Sequence, residues 1–188
     1  RLLDIVGGLI GSIITLVLVP LFGTLIVADT GFPIFYSQTR LGRAGRNYEM
    51  FKFRTMMQDA EIDGVARPAD RNDTRVTKIG RFLRLTHLDE LPQFFNILIG
   101  EMSLVGPRAE RPEIAEDFFK TIPFYKARNL VKPGLTGWAQ VNYEYAHGIE
   151  MNATKLEYDL FYIKNRNLLL DFSIILRTIW TVIGFKGN

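Results

Sequence analysis

The chain has 188 residues, 47% hydrophobic and 23% charged, with 23 basic against 20 acidic side chains and a net charge of +3. That length supports one domain with a sizeable core, and the near balance of charge argues against nucleic acid as a partner, because a phosphate-tracking surface needs a larger basic excess. No cysteine is present, which excludes disulfides and thiolate metal sites.

The chain opens at Arg1 rather than Met, as a fragment of a longer protein would. From Ile5 to Ala28 there are 24 residues without a charge, bracketed by Asp4 and Asp29. As a continuous helix the run measures about 36 Å, enough to cross a bilayer core of about 30 Å. It is too long for a signal peptide and no small-residue cleavage site follows it. Pro20 divides the run, because an interior proline costs about 3 kcal/mol in lost hydrogen bonding and clash. Two geometries follow: a kinked spanning helix, or a re-entrant helix-break-helix whose freed carbonyls take Ser12 or Thr15 as donors. Basic residues at both ends (Arg1, then Arg40, Arg43 and Arg46) suit a hairpin with both ends on one side.

Pro33–Gln38 and Tyr48–Phe53 are rich in aromatics and predict a β-hairpin with a long Gly-containing loop. Ala60–Thr74 is polar and predicts a mobile loop. Arg75–Leu85 places Arg75, Lys78, Arg81 and Arg84 three apart with apolar residues between, a short basic amphipathic helix suited to a membrane surface, although a solvated surface helix has the same pattern. Pro92–Ile99 predicts a buried helix closed by Gly100. Glu113–Lys120 and Ala153–Lys164 predict further helices. Leu168–Phe185 is apolar around much of its circumference and reads as interfacial, flanked by Lys164, Arg166 and Lys186. The expected class is α+β: mostly helical, with a small β-hairpin and amphipathic interfacial helices.

His87 and His147 are far apart, and neither a Walker loop, a dinucleotide fingerprint nor an HExxH motif occurs. The stretch Arg84-Leu-Thr-His-Leu-Asp-Glu-Leu-Pro-Gln93 stands out. Pro92 belongs in a first helical turn, so the helix starts near Asp89 and places Asp89 and Glu90 at the positive end of its dipole. An isolated Asp-Glu pair is most often a solvated cap; here cationic residues surround it in sequence. Arg84 lies upstream. Gly106 and Pro107 make a turn that aims Arg108, whose fork suits phosphate oxygens. Lys52, Arg54 and Thr55 follow the second hairpin strand. Lys132-Pro-Gly-Leu-Thr-Gly-Trp138 is a rigid turn whose Trp138 belongs to the core or stacks on a base.

Together these blocks resemble the monotopic phosphoglycosyl transferases, or bacterial sugar transferases. The matching pieces are Arg1–Asp4, Pro33–Tyr36 with Gln38 and Arg40, Lys52–Met56, Leu88–Gln93 with Asn96, Met102–Arg108 and Pro133–Val141, continued by Asp159, Tyr162, Asn165 and Asp171. Details around Leu168–Thr178 are similar to the longer subgroup, in which this domain follows several spanning helices and a further cytoplasmic domain. The resemblance departs at Val19-Pro20, where serine often precedes the proline, at Ala109, where a second proline is common, and at Lys132, where arginine is common.

The resemblance implies a re-entrant membrane helix over residues 1–30, broken at Pro20, and a catalytic domain over 31–188 on the cytoplasmic face of a bacterial inner membrane. It implies transfer of a sugar-1-phosphate, glucose or galactose in the longer subgroup, from a UDP-sugar to polyprenyl (undecaprenyl) phosphate. UMP is released through an aspartyl-phosphosugar on Asp89, as the first membrane step of exopolysaccharide, capsule or O-antigen synthesis. Mg²⁺ is expected at Glu90 with Asp89, and substrate phosphate at Arg84, Arg108, Lys52 and Lys132. Membrane lipid is a further partner, and a homodimer is compatible with all of this. The rivals are direct attack of the lipid phosphate on the UDP-sugar, with Asp89 only a metal ligand, a membrane-tethered nucleic-acid binder, and an inactive assembly scaffold.

Overall fold

The structure is a computed structural model and describes residues 1–58, 60, 73–143 and 148–183. It opens with helix α1, Leu2–Thr30. A hairpin follows, β1 (Phe35–Leu41) and β2 (Asn47–Phe53), paired antiparallel from Phe35 opposite Phe53 to Leu41 opposite Asn47. The expected hairpin is therefore present, with its first strand starting two residues later and ending three residues later than predicted. Next come α2 (Lys78–Leu85), α3 (Gln93–Ile99), β3 (Ser103–Val105) and α4 (Pro112–Thr121). Strand β4 (Gly134–Thr136), α5 (Trp138–Asn142), α6 (Gly148–Asn165) and α7 (Leu168–Ile183) complete the described chain. Strands β3 and β4 pair parallel as a second two-stranded sheet that has no counterpart in the sequence reading. The predicted loop Ala60–Thr74 lies almost wholly outside the described residues, as does His147.

The break expected at Pro20 is not found: α1 runs through it without interruption. Packing on both sides of the proline explains why. On the N-terminal half, Gly8 and Gly11 let α3 approach so closely that a Cβ on Gly11 would lie 2.2 Å from the Phe94 ring. On the C-terminal half, Phe22 and Ile26 bury against Phe53 and Leu83. Burying those side chains outweighs the roughly 3 kcal/mol that a mid-helix proline costs. Ser12 and Thr15 do not serve the carbonyl freed by Pro20 either. The Thr15 hydroxyl bonds Gly11 O (2.7 Å) and Leu91 O (3.0 Å), and the buried Ser12 hydroxyl has no partner among the described residues.

Both ends of α1 are tied to the body. Asp4 accepts from Ser103 Oγ (2.7 Å) and Leu104 N (3.0 Å), and the Arg1 guanidinium donates to Ile97 O and Leu98 O. At the far end Arg54 donates to Thr30 Oγ1 and to Gly31 O. The opposite face of α1 exposes Leu9, Ile13, Leu16, Val17 and Leu21. Helix α1 is the one described helix long and apolar enough to cross a membrane. Helix α7 shares this pattern: Ile174 is fully buried, while Leu168, Leu169, Phe172, Leu176, Ile179 and Trp180 are exposed.

Candidate active site

Helix α2 starts at Lys78, three residues later than predicted, because the Thr77 hydroxyl caps it by accepting from Gly80 N (2.9 Å). Arg75 therefore leaves the expected basic stripe and pairs with Asp73. At the end of α2 the chain reverses through His87, in the left-handed region (φ 55°), into a 3₁₀ turn over Leu88–Glu90. Helix α3 begins only at Gln93. The dyad thus sits in a separate turn before α3 rather than in its first turn, so the macrodipole predicted to hold it acts from further away.

The hairpin brings Lys52 to this turn. Asn96, fully buried on α3, fastens β2 by accepting from Phe51 N (3.1 Å) and donating to Glu49 O (2.7 Å). From that anchored strand Lys52 Nζ reaches Glu90 Oε1 at 2.7 Å and Asp89 Oδ2 at 3.9 Å. Arg108 Nη2 lies 3.9 Å from the same Glu90 oxygen. Arg84 flanks the turn, its Nε donating to Thr55 Oγ1 (2.9 Å). Asp89 is 6% exposed, and its carboxylate accepts no hydrogen bond among the described residues.

These surroundings push the two acids apart. Burial raises the Asp89 carboxyl above the ordinary range, opposed by Lys52 and Arg84 and reinforced by the Glu90 charge. Burial also acts on Glu90, but Lys52 and Arg108 outweigh it and hold that carboxyl at about 2. Glu90 is thus the fixed anion of the pair, and Asp89 the less stabilised, more reactive one.

Arg108 is set by glycine packing. Gly106 and Gly134 approach so closely that a Cβ on Gly134 would lie 2.1 Å from Gly106 N, and Gly134 N donates to Pro107 O (2.9 Å). Behind this turn lies a cluster that the sequence reading missed. Buried Arg128 donates to Arg108 O (2.9 Å) and pairs with Asp159 (2.8 Å) and Glu110 (3.2 Å). Lys155 closes the cluster on Glu110 at 2.8 Å. These residues are spread from 110 to 159, and nothing in their spacing relates them.

One expected phosphate-binding residue, Lys132, stands elsewhere, and of the two roles open to Trp138 the core one is found. Lys132 lies beside Gly100 at the C-terminal end of α3, opposite the dyad, and lines a cavity with Arg43 and Arg46. Trp138 stacks on Phe161 (centroids 5.5 Å apart), carries the Arg177 guanidinium at 5.2 Å and packs with Val105, Tyr162 and Ile174, so it belongs to the core. No set of three or more His, Asp or Glu side chains converges among the described residues. The dyad alone still fits Mg²⁺, which binds through one or two carboxylates and completes its shell with water and substrate phosphate. Asp89 Oδ2 and Glu90 Oε1 already face one common cation, the Lys52 ammonium.

A dyad of one buried and one half-buried carboxylate, ringed by cations on a body packed along a long apolar helix, suits membrane association and phosphate chemistry. The chain belongs to the bacterial sugar transferase family, whose profile matches residues 1–185. It is 42% identical, over 90% of its length, to a UDP-N-acetylgalactosamine-undecaprenyl-phosphate N-acetylgalactosaminephosphotransferase of Aeromonas hydrophila. UDP-glucose:undecaprenyl-phosphate glucose-1-phosphate transferases of Xanthomonas campestris pv. campestris and Klebsiella pneumoniae are 45% and 40% identical over 82% and 100% of the chain. The chain spans 42%, 32% and 39% of the lengths of these three relatives.

Proposed function

We propose that this chain transfers a sugar-1-phosphate from a UDP-sugar to undecaprenyl phosphate through a covalent intermediate on Asp89. The observation that carries the reading is the Asp89 environment: a buried carboxylate without hydrogen bonds to the described residues, 3.9 Å from the Lys52 ammonium, beside a Glu90 whose charge is locked. A carboxylate relieved of strong hydrogen bonds is the better nucleophile. Its oxygen attacks the sugar-linked phosphorus of the UDP-sugar, the bond to the bridging oxygen breaks, and UMP leaves with the electron pair. An oxygen of undecaprenyl phosphate then attacks that phosphorus and expels Asp89, giving undecaprenyl diphosphosugar. Both nucleophiles are anions, so neither step needs a base.

Bringing anions together is the main obstacle, and this chain's residues meet it by position. Lys52, Arg108 and Arg84 supply positive charge around the reacting phosphoryl group. Mg²⁺ held by Glu90 and Asp89 would neutralise diphosphate charge. The anchoring of α1 at both ends supports a domain seated in one leaflet. A helix clasped along its length by a body carrying buried charges cannot cross alone without drawing that body into the hydrocarbon. The exposed faces of α1 and α7 would lie against lipid on the cytoplasmic side, with residues 31–188 forming the catalytic domain.

The test is exchange of labelled UMP into UDP-sugar with no lipid acceptor present. The wild-type protein exchanges, and Asp89→Asn loses exchange by at least about 10³-fold. Donor binding without exchange in the wild type would favour direct displacement by the lipid phosphate.

A further inference from the structure

At the end of α3 away from the dyad, a cavity of about 530 Å³ opens beneath the hairpin turn, lined by Arg43, Arg46, Tyr48, Gly100, Glu101 and Lys132. Its cations come from separate segments. Arg43 and Arg46 belong to the turn joining β1 to β2, and Lys132 precedes β4. The Arg1 guanidinium, fixed by the last carbonyls of α3, joins them. It and the Lys132 ammonium both lie within 3.4 Å of the point a Cβ on Gly100 would occupy. Gly100 ends α3 at φ +98°, so a side chain is disfavoured there in any case.

The positive charge is only partly offset from within, by Glu101 in the lining and by Asp4 acting on Lys132. None of Arg43, Arg46 and Lys132 forms an ion pair among the described residues. The lining acid, Glu101, is engaged by Asn96 Nδ2 at 2.8 Å. Burial lowers the Lys132 ammonium from its usual range, and the neighbouring Arg1 and Arg43 charges add to the shift against the opposing charge of Asp4. Tyr48 forms one wall of the cavity with its ring, while its hydroxyl is buried on the side of Arg40 and Arg108. Two arginine forks and an ammonium around one space, with the Arg1 guanidinium beside them, form a donor set complementary to tetrahedral oxyanions.

We propose that this cavity is a phosphate-binding site, separate from the dyad, that takes the phosphate of a phospholipid headgroup or of a soluble phosphate compound. Its position favours the lipid, since Arg1 directly precedes the exposed apolar residues Leu2, Ile5 and Val6 of α1. The site stands independently of the chemistry assigned to Asp89.

The experiment compares wild type, Lys132→Gln, Arg43→Gln/Arg46→Gln and, as a charge control, Lys120→Gln, which alters an exposed cation on α4. Inorganic phosphate binding is read by ³¹P line broadening of the full chain in detergent. Lipid binding is read by co-flotation with vesicles of phosphatidylglycerol in phosphatidylcholine against phosphatidylcholine alone. Thermal melting of each variant confirms folding; the two arginines are exposed on a turn, so the double variant keeps the test decisive should Lys132→Gln fail to fold. The cavity variants weaken phosphate broadening at least fivefold while Lys120→Gln does not. A matching loss of the phosphatidylglycerol preference identifies the headgroup as the source; an intact preference identifies a soluble phosphate. Unchanged broadening in the cavity variants, or an equal loss in Lys120→Gln, overturns the proposal.

Discussion

The dyad and the Arg128 cluster are both buried gatherings of acids and bases, yet they are built to opposite ends. In the Arg128 cluster the charges are closely matched: Arg128 meets Asp159 at 2.8 Å and Glu110 at 3.2 Å, and Lys155 meets Glu110 at 2.8 Å. Burial would raise Glu110, but Lys155 and Arg128 hold it at about 2. At the dyad only Glu90 is matched in this way, and among the described residues Asp89 is left with Lys52 at 3.9 Å. A saturated cluster has nothing left to offer a substrate, so it serves as a brace, here for the Arg108 carbonyl. An unsaturated carboxylate beside a saturated one can still form a bond.

Substitution in the brace sharpens this contrast most. Arg128→Ala leaves Asp159 buried without its partner and should cost about 3–5 kcal/mol of stability, read as a fall in the denaturant midpoint; an unaltered midpoint would mean the cluster is not a brace. Lys52→Ala acts on the other side of the comparison. It should lower kcat by about 10²–10³, as loss of a single charge-stabilising group does, with a much smaller change in melting temperature. A large loss of stability with kcat preserved would reverse the roles assigned to the two clusters.

The pH dependence is a finer instrument. Asp89 must be ionised to attack, and burial raises its pKa. The acid limb of kcat therefore lies above the ordinary carboxylate value of 3.8, and the rate falls about tenfold per unit below it. Lys52→Gln should move the limb higher still, because Lys52 opposes the shift. The stability contributions have opposite signs. Folding raises the Asp89 pKa, so its contribution is present at low pH and lost as pH rises from the unfolded towards the folded value. Folding depresses Glu90 from 4.5 to about 2, so its contribution is present above 4.5 and lost as pH falls through that window. A limb at or below 3.8 would show Asp89 to be an ordinary solvated acid.

Much of this was legible in the chain because it rests on local chemistry. Two aromatic-rich segments around a Gly-containing loop marked the hairpin, Gly100 marked the end of α3, and the Asp-Glu pair before Pro92 marked the dyad. What escaped depends on contacts distant in sequence. Pro20 reads as a helix breaker on its own, and only Gly11 against Phe94 and Phe22 against Phe53 make an unbroken α1 favourable. Strands β3 and β4 are three residues each, too short for a period, and are defined by the close approach of Gly106 and Gly134. Lys132 shares its turn with site-shaping glycines, yet the turn carries its amine to the far end of α3. Asp159 figured in the family resemblance, but its pairing with Arg128 carried no signal, since an ion pair 31 residues apart has no sequence signature.

The central claim concerns a bond to Asp89, and intact-protein mass spectrometry tests it most directly. Wild-type protein incubated with a UDP-sugar and no acceptor, then quenched in acid, should gain the mass of one sugar phosphate. That mass should map to the peptide containing Asp89 and disappear on adding undecaprenyl phosphate. Turnover to product with no such adduct, or an adduct persisting in Asp89→Asn, would contradict the account.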